Sequence, residues 1–276
     1  MAEVCTDEHF THSHEGPEMS SAHNQRPSLE SLVENENLGF EVLHPGGLEI
    51  TRDLAVLCKI QKDRTVLDVA SGTGESACFL QKSFGCQVTG IDASAHMIER
   101  AKNKAAARNL RIAFQQADAH YIPFEKNTFD AVIAECTICL LEKEKALREM
   151  ARVVKPGGYV GIHDICWQEG APERMKQRLA EIEGEKPDTL DGWKGLFQKV
   201  GLGDVQTQDK SYLMPIWTKT IKKELGIKGQ IKIFLKVIQN WGFKGLRLML
   251  ESAEIFQSKQ TGYGIIVGRK PDVSAP

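Results

Sequence analysis

The chain has 276 residues, 41% hydrophobic and 26% charged, which excludes collagen-like, mucin-like and wholly disordered proteins. Lys and Arg number 35 against 37 Asp and Glu, so the net charge is −2 and no global electrostatic grip on nucleic acid is expected. The 7 cysteines, at 5, 58, 78, 86, 136, 139 and 166, are odd in number and scattered, which favours reduced thiols in a cytoplasmic setting.

Residues 1–28 read as a disordered polar tail, without the basic and apolar regions of a signal peptide. His9, His12, His14, His23 and Cys5 lie in this tail at no spacing of a known zinc pattern, and no metal site is assigned in the chain. Residues 29–60 read as a helical cap. It is broken at Pro45-Gly46-Gly47 and resumes as a helix over 48–60 with Leu48, Leu54, Ala55 and Leu57 on its apolar face. Over 61–170 strands and helices alternate. Strands are predicted at 65–70, 87–91, 111–115, 131–136 and 159–163, and helices at 75–84, 94–108 and 144–154. The last helix stops at Lys155-Pro156-Gly157-Gly158. This pattern predicts an α/β, doubly wound parallel sheet covered by helices on both faces. Residues 171–210 add helices, one over 190–200, and a strand at 204–207. Residues 211–260 form a helical insertion, and 261–276 hold a final strand (263–267) and a tail. No apolar run is long enough for a membrane span.

The most informative segment is VLDVASGTGES, residues 66–76: a strand, a small-residue turn, then a helix start. Gly72 and Gly74 let the backbone approach a ligand, and the helix start offers free N–H groups. The turn is neither GxGxxG nor a Walker loop, so pyrophosphate and triphosphate are not its natural ligands. Asp92 ends the second strand in VTGIDAS, where a carboxylate can accept both ribose hydroxyls. Asp118 follows the third strand in QQADA, where a carboxylate can accept from an adenine amino group. Ribose and adenine recognition without a phosphate loop points to a different adenosine compound.

These segments, with TFDAVIAE and REMARVVKPGGYVGIHD in the same order and spacing, resemble the class I S-adenosylmethionine-dependent methyltransferases, most nearly their type 11 small-molecule branch. The resemblance covers residues 63–164 closely and the C-terminal strands loosely. It implies a Rossmann-like seven-stranded sheet, S-adenosylmethionine as cofactor, and a small-molecule acceptor. By that resemblance Asp68 holds the turn and faces the methionine part, Gly72 and Gly74 line it, and Ala70 and Ser71 belong to the same stretch. Asp92 with Ala93 takes the ribose, and Asp118 with Ala119 takes the adenine. The family usually has Gly where this chain has Ala70, and a methyl group there is expected to weaken cofactor affinity.

Methyl transfer needs an aligned nucleophile and excluded water. The acceptor is therefore expected at the carboxyl ends of the fourth and fifth strands. That puts Glu135, Cys136, His163 and Asp164 nearby as catalytic candidates, with Glu135 either taking a proton or orienting the cofactor's amino group. His44 is a candidate lid residue. Cys136 and Cys139 form a CxxC, which alone makes no zinc site. A cysteine just after the fourth strand is also similar to arsenite methyltransferases, where thiolates hold the metalloid, and Cys166 and Cys58 are then further ligand candidates. This chain lacks that family's other Cys-containing segments, and packing is the simpler role for these thiols. Residues 219–247 carry 8 basic residues and one acidic residue, Glu224, with Ile231, Phe234, Leu235 and Ile238 on one helical face. Contact with an anionic membrane surface and ordinary sheet capping are both open there. A non-catalytic cofactor-binding regulator is the rival reading. A nucleic-acid substrate is not expected, since no Asn-Pro-Pro-Tyr or Asp-Pro-Pro-Tyr element is present. Monomer and dimer are both open.

Overall fold

The computed structural model describes residues 44–272, so the expected tail, its histidines and residues 29–43 of the cap lie outside the described residues. Helix α1 (Gly47–Leu57) is followed by β1 (Thr65–Val69), α2 (Glu75–Phe84), β2 (Gln87–Asp92), α3 (Ala95–Ala107), β3 (Ala113–Gln116) and β4 (Phe129–Glu135). Then come α4 (Lys143–Val153), β5 (Val154–Trp167), α5 (Glu173–Ile182), β6 (Asp188–Thr189), α6 (Leu190–Lys199), β7 (Gly203–Asp209), α7 (Leu213–Gln257) and β8 (Thr261–Arg269). The ends follow local chemistry. The Ser94 hydroxyl accepts from the Met97 N–H to start α3, the Thr189 hydroxyl accepts from the Gly192 N–H to start α6, and Gly85 closes α2 in the left-handed conformation.

The sheet order is β3-β2-β1-β4-β5-β8-β7, parallel as far as β5 and antiparallel beyond it, with the two-residue β6 paired to the end of β5. The seven-stranded frame thus carries a short eighth strand that two residues are too few to announce. The order reverses between β1 and β4, which opens a crevice at their carboxyl ends.

Strand alternation sorts the core into two layers. Leu67, Val69, Val132, Ala134 and Ile162 face α4 and α6 with Trp193 and Phe197. Val66, Ala131, Ile133, Ile165, Tyr263 and Ile265 face α1, α2 and α3. Asp68, Glu135 and His163 lie at the same strand phase as this second set, and the register pairs Glu135 directly with His163.

Two elements differ from expectation. β5 does not begin after the KPGG segment but runs through it. Val154 pairs with Phe129, the register shifts, and Tyr159 pairs with Ala131. The bulge absorbs Pro156 and Gly157, whose φ is 75°. The strand continues to Trp167 because β8 pairs with it over its whole far end. The long helix α7 leaves helical angles at Gly226 and Gly242, so it is three helices in series. On the middle one Val237 is buried, while Ile231, Phe234 and Leu235 are 52%, 45% and 59% exposed. The expected apolar face therefore looks into solvent and does not cap the sheet. Among the described residues no helix is long and apolar enough to cross a membrane.

Candidate active site

The Gly-rich turn is tied to β2. The Ser71 N–H donates to the Ile91 carbonyl at 2.9 Å, and the Gly72 N–H donates to Asp92 Oδ2 at 2.8 Å. Asp92 Oδ1 accepts from the Ser94 N–H at 2.8 Å. The bracing role that the resemblance gives Asp68 thus falls to Asp92, because strand β2 brings its last carboxylate under the turn. Each Asp92 oxygen takes one backbone N–H and keeps lone-pair capacity for a further donor. Burial pushes the Asp92 carboxyl above its ordinary range, and the two N–H bonds oppose that shift.

The two glycines differ. A Cβ on Gly72 would meet nothing within 4 Å, so its surroundings are open. A Cβ on Gly74 would lie 2.8 Å from the Phe114 ring and 2.9 Å from Ala101, so helix packing explains its missing side chain. Ala70 has a φ of 57°, the left-handed region that the family's usual glycine adopts without cost. Ala70→Gly is expected to stabilise the fold by about 1 kcal/mol in chemical denaturation. Equal stability would mean that the turn does not hold this strain.

Asp68 is buried, and its Oδ2 has no hydrogen-bond partner. Burial, then the charges of Glu135 and Asp92, push its carboxyl well above the usual range. Ser71 Oγ is likewise buried without a partner. Asp118 Oδ1 accepts from the His120 backbone N–H at 2.8 Å and meets His120 Nδ1 at 2.7 Å, while His120 Nε2 accepts from the Glu142 N–H at 3.1 Å. That pattern fixes the imidazole with its proton on Nδ1, and the buried ring clamps the Asp118 loop to the start of α4. His120 was not singled out in the sequence, although its place two residues after Asp118 is visible there. Ala93 is exposed, its carbonyl accepting the Gln116 amide, and Ala119 is buried in the core.

At the end of β4 and the stretch of β5 beside it the side chains converge. His44 Nε2 is 3.2 Å from Glu135 Oε2, and His163 Nε2 is 3.1 Å from Glu135 Oε1. The His44 and His163 rings are 4.5 Å apart between centroids. Ser76 Oγ, at the start of α2, donates to Glu135 Oε2. The Tyr263 hydroxyl is 2.5 Å from His163 Nδ1 and 3.0 Å from Cys136 Sγ. Burial opposes charge on Glu135, but attraction to His163 and His44 outweighs it and holds the carboxyl well below its ordinary range. Burial is the main influence on His163 and lowers it. His44 is buried. Its turn also packs against the start of α7, where a Cβ on Gly46 would lie 2.9 Å from Leu213. Tyr263 and Ser76 are site residues that sequence reading missed. The alternation of Tyr263 with Ile265 in YGIIV was the available signal for the first.

Asp164 departs from the expected pocket group. It lies on the opposite sheet face from His163, its oxygens accept the Cys139 N–H at 3.0 Å and the Ile165 N–H at 2.8 Å, and it is fully buried. Burial raises its carboxyl to about 6, against those hydrogen bonds. It braces the turn after β4. Cys136 sits at that turn with a φ of 49°, another strained residue at the crevice. Burial, then Asp164, push its thiol well above the ordinary range. Cys139 and Cys166 belong to one core layer, and Cys58 and Cys136 to the other. The sheet therefore separates the four thiols into two pairs.

A family model described as a methyltransferase domain matches residues 66–158. An uncharacterized protein of Haemophilus influenzae is 34% identical over 205 residues, covering 71% of this chain and 80% of that protein. A phosphoethanolamine N-methyltransferase of Triticum aestivum is 28% identical over 181 residues, which are 65% of this chain but only 35% of that protein. In fold, the chain is similar to a putative sarcosine dimethylglycine methyltransferase from Galdieria sulphuraria. The TM-score is 0.69 at 21% identity, with 82% of this chain and 84% of that one covered. The crevice fits the cofactor these relatives imply: Gly72 is open, Asp68 and Ser71 hold buried polar atoms without partners, and Asp92 stands at the strand end. With that fit, the matched domain and the sheet order agree that the chain belongs to the class I S-adenosylmethionine-dependent methyltransferases.

Proposed function

We propose that the chain methylates a small-molecule acceptor taken up at the carboxyl ends of β4 and β5. The observation that carries this reading is the Glu135 carboxylate, held between His44 at 3.2 Å and His163 at 3.1 Å on the sheet face that also holds Asp68. When bound, S-adenosylmethionine supplies a methyl group on a sulfonium, open to in-line displacement. In this reading Asp92 holds the ribose hydroxyls with its remaining lone pairs, and Asp118, oriented by His120, takes the adenine edge. Ser71, Gly72 and Asp68 receive the methionine part. Glu135 and His163 orient the acceptor and draw its proton away, with the Tyr263 hydroxyl fixing the His163 ring. The turn at His44 and the start of α7 exclude water. The relatives' named acceptors, phosphoethanolamine and sarcosine or dimethylglycine, are small polar molecules, which supports this class of acceptor.

A metalloid or thiol acceptor held by Cys136 is the second reading, and the geometry disfavours it. Cys136 is a neutral thiol held by Tyr263, and Cys166 lies in the opposite core layer. Cys136→Ser is expected to keep turnover within about threefold, since Ser retains the contact to Tyr263. Loss of nearly all turnover with cofactor affinity intact would revive the thiolate reading.

The solvent-facing Ile227, Ile231, Phe234, Leu235 and Phe243 stand among exposed Lys223, Lys228 and Lys244. This mixture supports a contact of the insertion with an anionic lipid surface. Cosedimentation with phosphatidylserine vesicles is expected to fall as salt rises. Equal pelleting with neutral vesicles would sink this reading.

A further inference from the structure

We propose that His44, Glu135 and His163 form a binding site for one divalent transition-metal ion, open on the acceptor side. The proposal rests on the reading that this end of β4 and β5 is the acceptor site.

Three elements that are distant in the chain each contribute a ligand atom. His44 comes from the turn before α1, Glu135 from the last residue of β4, and His163 from β5. These ligand-type atoms lie within 4.8 Å of one another. Bonds of about 2.0–2.2 Å to a common ion place ligand atoms about 3.0–3.5 Å apart. The separations of 3.2 Å from His44 Nε2 to Oε2 and 3.1 Å from His163 Nε2 to Oε1 have that size, one imidazole to each carboxylate oxygen. These are charge contacts, and they do not meet the alignment of a hydrogen bond. His44 Nε2, His163 Nε2 and Glu135 Oε1 are buried polar atoms without a hydrogen-bond partner. Burying such atoms unsatisfied is costly, and an ion at their focus satisfies all three at once.

The surroundings suit metal binding. His163 Nδ1 meets the Tyr263 hydroxyl, which can accept its proton, and in that tautomer the Nε2 lone pair is the one that faces Glu135. The Ser76 hydroxyl donates to Glu135, which fixes the carboxylate. Two imidazoles and one carboxylate select a transition ion such as Zn²⁺, Co²⁺ or Fe²⁺ over Mg²⁺ or Ca²⁺. Three protein ligands leave a coordination position open, the arrangement of a catalytic and not a structural site. With the ion bound, Glu135 and His163 serve as its ligands, and the ion takes over from them the orienting of an acceptor heteroatom and the easing of its proton loss. Among the described residues no other group of three such side chains converges, and no cysteine joins this one.

The test uses the full chain stripped with chelator and titrated with Co²⁺, whose visible absorption reports coordination, with equilibrium dialysis for stoichiometry. One equivalent per chain is expected, with affinity falling at least tenfold in His44→Ala and in Glu135→Gln. Because His9, His12, His14, His23 and Cys5 offer competing ligands, a variant with the four histidines changed to Ala and Cys5 changed to Ser is titrated in parallel, and it is expected to bind like the parent. Sub-stoichiometric binding, binding lost in the tail variant, or binding unchanged by His44→Ala would overturn the proposal. Displacement of Co²⁺ by saturating S-adenosylmethionine would overturn it too, since the cluster would then serve the cofactor. Calorimetric cofactor binding on the same samples separates the two readings. Cofactor binding without Co²⁺ binding sinks the metal site alone, whereas loss of both sinks the site assignment beneath it.

Discussion

Glu135→Gln is expected to lower kcat by about 10²–10⁴, the range associated with losing a positioned acid–base group. Gln keeps the volume of Glu, so the core layer around Ala131 and Ile133 should be undisturbed. What disappears is the negative charge that sits between two imidazoles and holds them toward one point. Affinity for S-adenosylmethionine, measured by calorimetry, is expected to stay within about threefold, a change worth less than about 1 kcal/mol. The two readouts together assign the residue. A large fall in kcat with intact affinity places Glu135 with the acceptor. An equal fall in affinity would instead make it the partner of the cofactor's amino group.

Asp92→Ala is expected to weaken cofactor binding by about 2–3 kcal/mol, roughly 30–150-fold, as for a charge-assisted hydrogen-bonded carboxylate. Two losses combine. The lone pairs proposed for the ribose hydroxyls go, and so does the Oδ2 acceptor of the Gly72 N–H. The second loss frees the turn itself, so Asp92→Asn, which keeps an acceptor oxygen, should lose less than Asp92→Ala. Calorimetry on the two variants distinguishes these contributions. Affinity unchanged in both would remove Asp92 from the cofactor site.

Much of the sheet was legible because its strands are short continuous apolar runs separated by helix-length segments. Thr65–Val69 and Gln87–Asp92 fall close to where those runs place them. The Gly-rich turn was legible because its small residues stand between a strand and a helix start. The extension of β5 was not. Asp164 interrupts the apolar pattern, and only the structure shows it satisfied by the Cys139 and Ile165 N–H groups. The Glu135 cluster was half legible. Glu135 and His163 could be placed at one end of the sheet, but that they pair directly is a matter of register, and His44 arrives through a turn whose packing against Leu213 no local pattern encodes. Periodicity grouped Ile231, Phe234 and Leu235 on one face of α7. It could not say that this face points outward, because the breaks at Gly226 and Gly242 decide how the middle helix is laid down.

The departure from the family's glycine at Ala70 was visible in the sequence as a matter of size. In the structure it is first a matter of backbone, since Ala70 occupies left-handed angles as Cys136 does across the crevice. Two such residues at the ends of β1 and β4 mark where the fold accepts local strain at the proposed site.

In the proposed reaction a methyl group passes to a small molecule at the Glu135 cluster. The most direct measurement incubates the purified chain and its Glu135→Gln variant with methyl-labelled S-adenosylmethionine and a cell extract, then separates small molecules from macromolecules. Label is expected in the small-molecule fraction with the parent chain and at least about a hundredfold less with the variant. Label in protein or nucleic acid, or equal label from the two chains, would contradict it.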